Sequence, residues 1–102
     1  MNEKEKIKEQ VREAMQNEPL KSAIRKAALF GSFLKNEQKK GSDVDILVEL
    51  EPEARVGLFK FVEMQEVLSK HLGRKVDLLT FQGLSKYIRE QVIKEAEVIY
   101  ER

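Results

Sequence analysis

Short apolar runs alternate along this chain with longer amphipathic segments, and that alternation limits the possible folds more than any other feature of the sequence. The apolar runs predict strands at 27–30, 43–50, 75–80 and 98–100. Apolar residues at helical spacing predict helices at 2–16, 57–72 and 84–96, with short ones at 19–24 and 33–39. This order of elements predicts an α/β fold in which helices flank a small mixed β-sheet.

The two later helices have predicted inward faces. The helix 57–72 should bury Leu58, Phe61, Val62, Leu68 and Leu72, and Gly73 should end it in a left-handed conformation. The helix 84–96 should bury Leu84, Ile88, Val92 and Ala96. Phe59, Phe61 and Tyr87 fit either the core or a surface that binds a partner. His71, in a last helical turn, fits a structural role better than a catalytic one.

The length of 102 residues fits a single domain, 1–102, that begins with an amphipathic helix within 1–17. The chain has no cysteine and one histidine, which excludes disulfides, a thiol nucleophile and multi-histidine metal sites. Its 19 Lys and Arg against 18 Asp and Glu argue against direct nucleic-acid binding by a basic surface. Since no apolar run approaches the ~20 residues of a membrane span and no signal peptide is recognisable, we expect a cytoplasmic protein without membrane contact.

Two aspartates stand at the head of the most apolar predicted strand, in the stretch GSDVDILVEL from 41 to 50. Because side chains at i and i+2 share a strand face, Asp43 and Asp45 should project together, opposite Val44, Ile46 and Val48. Two neighbouring carboxylates repel each other, and a bound cation is the simplest compensation. Hard oxygen ligands favour magnesium or manganese over zinc.

A third carboxylate, Asp77, lies in the strand KVDLLT from 75 to 80. If this strand lies beside the one from 43 to 50, Asp43, Asp45 and Asp77 share one patch, as a two-metal phosphoryl-transfer site requires. The acids alone leave a plainer interpretation open, because Asp43 could cap a turn and Asp77 could be an exposed strand residue.

Gly31 and Ser32 follow the first predicted strand and precede a predicted helix. Such a junction offers backbone N–H groups and the positive end of a helix dipole, and glycine lets the backbone approach a phosphate. The Ser32 hydroxyl can donate to a phosphate oxygen. An isolated Gly-Ser pair is more often a plain turn, but this one stands ten residues ahead of the Asp-x-Asp pair.

Together, LFGS at 29–32, GSDVDILVELEP at 41–52 and LGRKVDLLT at 72–80 resemble the minimal nucleotidyltransferases of the DNA polymerase β superfamily. The resemblance covers roughly residues 20–100. It implies a polymerase-β-like fold and attack of an acceptor hydroxyl on the α-phosphate of ATP, with release of pyrophosphate. In the family a glycine–serine pair holds the triphosphate, which maps to Gly31 and Ser32.

The metal-binding carboxylates and the basic residue of the family motif also have counterparts in this chain. The Asp-x-Asp carboxylates, which bind two magnesium ions, map to Asp43 and Asp45, and the third carboxylate, which completes the metal site and helps to activate the acceptor, maps to Asp77. Many relatives continue the glycine–serine motif with a small residue, Arg and Gly, where this chain has Leu34, Lys35 and Asn36. Lys35 keeps the positive charge for the nucleotide but lacks the bidentate fork of Arg. Lys39 and Lys40 could also reach a triphosphate, although loop lysines are more often only solvated.

The resemblance also implies a partner. Such short chains are commonly the antitoxin of a pair whose toxin is an all-helical HEPN-domain ribonuclease, and the implied reaction transfers AMP to a tyrosine of that toxin. The chain is then either an active protein adenylyltransferase or a binding module that neutralises the toxin by occupying it. A haloacid-dehalogenase-type phosphatase also uses Asp-x-Asp, but Leu47 stands where that class has Thr or Val.

Overall fold

The computed structural model of the chain describes residues 2–31 and 43–102. It confirms the predicted α/β class. The elements are α1 (Glu3–Ala14), α2 (Leu20–Ala23), β1 (Ile24–Phe30), β2 (Val44–Leu50), α3 (Leu58–Leu72), β3 (Val76–Thr80), α4 (Lys86–Glu95) and β4 (Glu97–Glu101). The predicted helix at 33–39 lies outside the described residues.

The described strands form a four-stranded mixed sheet in the order β3–β2–β1–β4. β1 runs antiparallel to β2 and to β4, whereas β2 and β3 are parallel. Parallel neighbours need a long crossover, which α3 provides between β2 and β3. This crossover brings the third predicted strand beside the second, as the carboxylate hypothesis requires.

One face of the sheet carries the main core beneath α1 and α3. Val44, Ile46 and Val48 are fully buried on this face, as the strand alternation predicts. They pack in one cluster with apolar residues of both helices and the other strands, which include Ile7, Val11, Leu29, Met64, Leu68, Val76, Leu78 and Ile99. The helix ends are also defined, because Asn2 Oδ1 accepts from the Glu5 N–H and Gly73 closes α3 at φ 68°.

The opposite face of the sheet is less completely covered. Ala28, Leu47 and Leu84 are buried there, and the half-buried side chains of Phe30 and Val92 pack against them. α4 keeps every one of its residues at least partly exposed. This second face therefore remains open enough to carry a binding site.

Two predicted helix faces are partly wrong. In α3, Leu58 is 75% exposed and Val62 is also exposed, because the buried stripe runs through Met64, Leu68 and Leu72 at a spacing of four residues. In α4, Ile88 is 49% exposed. The helix there contacts the sheet through its C-terminal half, so its first turn projects away from the core. None of the helices in 2–31 and 43–102 is long and apolar enough to cross a membrane.

Candidate active site

Asp45 and Asp77 are direct partners in the parallel register of β2 and β3. Adjacent strands lie about 4.8 Å apart and paired residues share a face, so the two carboxylates project side by side. Asp45 is half-buried and Asp77 is exposed, while their chain neighbours Val44 and Val76 are buried on the other face. The register thus brings together two of the predicted site residues.

Asp43 lies immediately before β2, at the same end of the sheet. The Val44 N–H donates to the Lys75 carbonyl over 3.0 Å, which holds the start of β2 beside β3. Lys75 Nζ lies 3.7 Å from Asp43 Oδ2, but its side chain is 74% exposed, so the ion pair is weak and screened by solvent. The Asp43 carboxylate therefore keeps most of its capacity to bind another cation.

The three carboxylates share one electrostatic environment. Burial raises the pKa of Asp45, and the negative charges of Asp77 and Asp43 raise it further. Their oxygens are the donors that magnesium prefers. Among the described residues, no three His, Cys, Asp or Glu side chains converge closely enough to form a ready metal cluster. The donor set thus fits magnesium in chemical type, as an open carboxylate patch rather than a closed cage.

Gly31 directly follows β1, at the edge of this patch. Its φ of 80° is in the left-handed region, which glycine adopts without strain, and its backbone lies against the Asp45 carboxylate. Gly31 is the only described member of the predicted nucleotide-binding set. The others, Ser32 and Lys35, and the loop lysines Lys39 and Lys40 lie outside the described residues.

Sequence reasoning missed Phe30, which pairs directly with Asp45 across the antiparallel β1–β2 register. Its half-buried side chain contacts the apolar cluster of the second face, so it joins that cluster to the carboxylate patch. The signal was present, because Leu29 is a core residue and strand alternation then places Phe30 on the carboxylate face. Glu49 lies on this face too, but four residues beyond Asp45 along β2.

His71 lies on the other side of the sheet from the carboxylates. Its Nε2 is 3.4 Å from Glu13 Oε2, so it links the last turn of α3 to α1. This contact agrees with the predicted structural role.

Comparison with known proteins decides the family. The sequence profile of the nucleotidyltransferase domain matches residues 5–99 of the chain. The chain belongs to this family. It is a nucleotidyltransferase, as the motif pattern predicts.

Its relatives carry a more specific name. The protein adenylyltransferase MntA of Thermococcus cleftensis is 40% identical over 77 residues, which are 76% of this chain and 74% of that protein. A Methanocaldococcus jannaschii protein with the provisional name protein adenylyltransferase is 35% identical over 96 residues, or 92% of this chain and 93% of the relative.

Solved structures agree on the fold. A structure described as a minimal nucleotidyltransferase superposes with a TM-score of 0.75 at 28% identity, covering 93% of this chain and 94% of that one. A tri-AMPylated Shewanella oneidensis HEPN toxin in complex with its MNT antitoxin contains a chain that matches with a TM-score of 0.68 at 19% identity. That match covers 97% of this chain and 73% of the other. The minimal nucleotidyltransferase fold is therefore confirmed.

Proposed function

We propose that this nucleotidyltransferase is a cytoplasmic antitoxin that transfers AMP from ATP to a tyrosine hydroxyl of a HEPN-domain ribonuclease toxin. The observation that carries the proposal is the register pairing of Asp45 with Asp77 beside Gly31, since it assembles carboxylates and a close-approach glycine on one open face. The protein adenylyltransferase name of the MntA relative supports the reaction class. The likeness in fold to an MNT antitoxin supports the choice of partner.

In this proposal the carboxylates have distinct tasks. Asp43, Asp45 and Asp77 would hold two magnesium ions, and these ions would neutralise charge on the triphosphate and help to orient the reacting groups. Asp77 is the most exposed of the three, so an acceptor on another protein can reach it. It helps to activate the acceptor hydroxyl by accepting its proton.

The bond changes follow from the substrates. The tyrosine oxygen forms a bond to the α-phosphorus of ATP as the bond from that phosphorus to the bridging oxygen breaks. Pyrophosphate leaves with the bonding electrons, and AMP remains on the tyrosine. The Gly31 backbone N–H and the Ser32 hydroxyl donate to the triphosphate, and Lys35 offsets its charge.

A labelling experiment tests the proposal. The chain is incubated with Mg²⁺, proteins captured on it from its own cell extract, and ATP labelled at either the α- or the γ-phosphate. We expect only the α-label to move onto a captured protein, with the label on tyrosine. The double variant Asp43→Ala/Asp45→Ala should transfer none. Glu49→Gln, on the same face of β2 but away from the patch, is the matched control and should transfer normally.

A binding module that blocks the toxin without chemistry is the second candidate. The observation that favours it is the 91% exposure of both Phe59 and Tyr87, which a docking surface would explain. The two functions separate in the variant Asp45→Asn. If cells that produce the toxin still grow with this variant, neutralisation does not need catalysis; if growth stops, it does.

A further inference from the structure

The space beside Gly31 is already occupied by a catalytic carboxylate. A Cβ atom at this position would lie 2.3 Å from Asp45 Oδ2, 3.2 Å from its Cγ and 3.4 Å from its Cβ. The first distance is far shorter than any stable contact between a carbon and an oxygen. The Asp45 carboxylate therefore occupies the space that the Cβ atom of any other residue type at position 31 would need.

The strands on both sides of β2 place a residue directly beside Asp45. On the β1 side its register partner is Phe30, which is half-buried in the apolar cluster of this face. On the β3 side its partner is Asp77, which carries the same charge. A displaced Asp45 carboxylate would therefore leave its place in the patch rather than shift within it.

We propose that Gly31 is a positioning residue, which sets the Asp45 carboxylate beside Asp77 by leaving its own side-chain volume empty, in addition to any contact with nucleotide. This rests on the proposed function, because Asp45 is a metal ligand only there. This steric requirement at position 31 is already present when no substrate is bound. A substitution at Gly31 should therefore disturb the metal site even without ATP.

Gly73 provides a matched control for backbone strain. Its φ of 68° is close to the 80° of Gly31, so alanine at either position adopts an unfavourable left-handed conformation. Among the described residues, nothing lies within 4 Å of a Cβ at Gly73. Gly31→Ala and Gly73→Ala thus share the strain, and only the first meets Asp45.

The experiment compares the full-length wild type, Gly31→Ala and Gly73→Ala without nucleotide. The readouts are the ¹³C chemical shift of the Asp45 carboxyl carbon without metal and the affinity for Mn²⁺. We expect Gly31→Ala to move the Asp45 signal and to weaken Mn²⁺ binding about tenfold or more. Gly73→Ala should leave both at wild-type values. An unmoved Asp45 signal in Gly31→Ala would overturn the proposal.

A double-mutant cycle decides the question if Gly31→Ala folds poorly. In an Asp45→Ala background the clashing oxygens are gone, so Gly31→Ala should lower the melting temperature only as much as Gly73→Ala does. An equal loss with and without the Asp45 side chain would also overturn the proposal. The proposed function can fail independently of this role. If the wild type transfers no AMP but Gly31→Ala still shifts the Asp45 signal, the proposed reaction is refuted and the positioning role of Gly31 stands.

Discussion

Asp45 of β2 and Asp77 of β3 are direct partners across a parallel strand pair, so two carboxylates project side by side from one face of the sheet. Like charges directly opposite each other destabilise a sheet. Such a pair contributes nothing to packing, because the apolar residues that hold the strands together, Val44, Ile46 and Val76, lie on the other face. The arrangement favours cation binding over a purely structural use of these acids.

Replacing Asp77 with Asn should abolish most catalysis while the fold persists, because Asp77 is exposed and packs little. In the proposed mechanism Asp77 accepts the proton of the acceptor and binds metal, so its replacement should lower the rate of AMP transfer by about 10²–10⁴-fold. The measurement is initial transfer from α-labelled ATP at saturating Mg²⁺, with the melting temperature as a check on folding. Transfer at the wild-type rate would remove Asp77 from the site.

Replacing Asp45 with Asn should stabilise the metal-free protein at neutral pH. Burial and the charges of Asp77 and Asp43 raise the pKa of Asp45 above its ordinary 3.8, so its ionised form opposes folding. The penalty is fully present above the pKa in the folded state and disappears as the pH falls to 3.8. We expect a gain on the order of 0.5 kcal/mol at pH 7.

Urea unfolding in EDTA at pH 7 and below pH 4 measures this difference. The gain in stability should vanish at the lower pH, because Asp45 of the wild type is then protonated and, like Asn, carries no charge. Added Mn²⁺ should reverse the order at pH 7, because the wild type then gains binding energy that the variant lacks. A variant that is less stable than wild type in EDTA at pH 7 would contradict the prediction.

The strand faces around the site could be predicted from sequence, but the contacts between strands could not. The two-residue period alone separates Val44, Ile46 and Val48 from Asp43 and Asp45, because the pleat sets which face each residue takes. The pairing of Asp45 with Asp77 depends instead on the direction and register of β3, which the α3 crossover sets. The contact of Gly31 with Asp45 depends on how two strands are placed side by side, and no pattern in the sequence around Gly31 indicates it.

α4 shows where periodicity misleads. Ile88 and Val92 have helical spacing, yet Ile88 is exposed. An apolar stripe reports only that a helix has an apolar side, whereas burial depends on whether a partner surface extends that far.

Replacing Glu97 with Gln should loosen the contact between β4 and α1. Glu97 forms ion pairs with Lys8 and with Lys4, the latter at 3.2 Å. The hydrogen bond from Lys8 lowers the pKa of Glu97 below its ordinary 4.5, so the contribution to stability is present above that pH and is lost as the pH falls through the lowered pKa. Because the pairs lie near the surface, we expect a loss of about 0.5 kcal/mol at pH 7.

Chemical denaturation at low and high salt tests this contribution. The difference between wild type and Glu97→Gln should shrink in 1 M NaCl, where salt screens the pairs, and as the pH falls through the lowered pKa of Glu97, where acid protonates the carboxylate. Glu101→Gln, in the same strand and exposed, is the control. An equal loss in both variants would show that the charge of β4, not its pairing with α1, matters.

The outer edge of β3 is protected by side chains of α3, and this protection should keep Asp77 in place. Gln65 Oε1 accepts from the Leu78 N–H over 3.0 Å, and Ser69 Oγ accepts from the Val76 N–H over 3.0 Å. These two amides flank Asp77 and point away from β2. Gln65→Leu would leave the Leu78 N–H without its acceptor, at a cost of about 1 kcal/mol.

Amide hydrogen exchange resolves this prediction by residue. In Gln65→Leu, exchange at Leu78 should accelerate more than at Val76, and Ser69→Ala should produce the reverse order, so each variant controls for the other. AMP transfer should fall modestly in both, because a β3 edge that opens more often holds Asp77 less firmly beside Asp45. Equal acceleration at both amides in each variant would mean that the edge opens as one unit and that neither side chain protects its own amide.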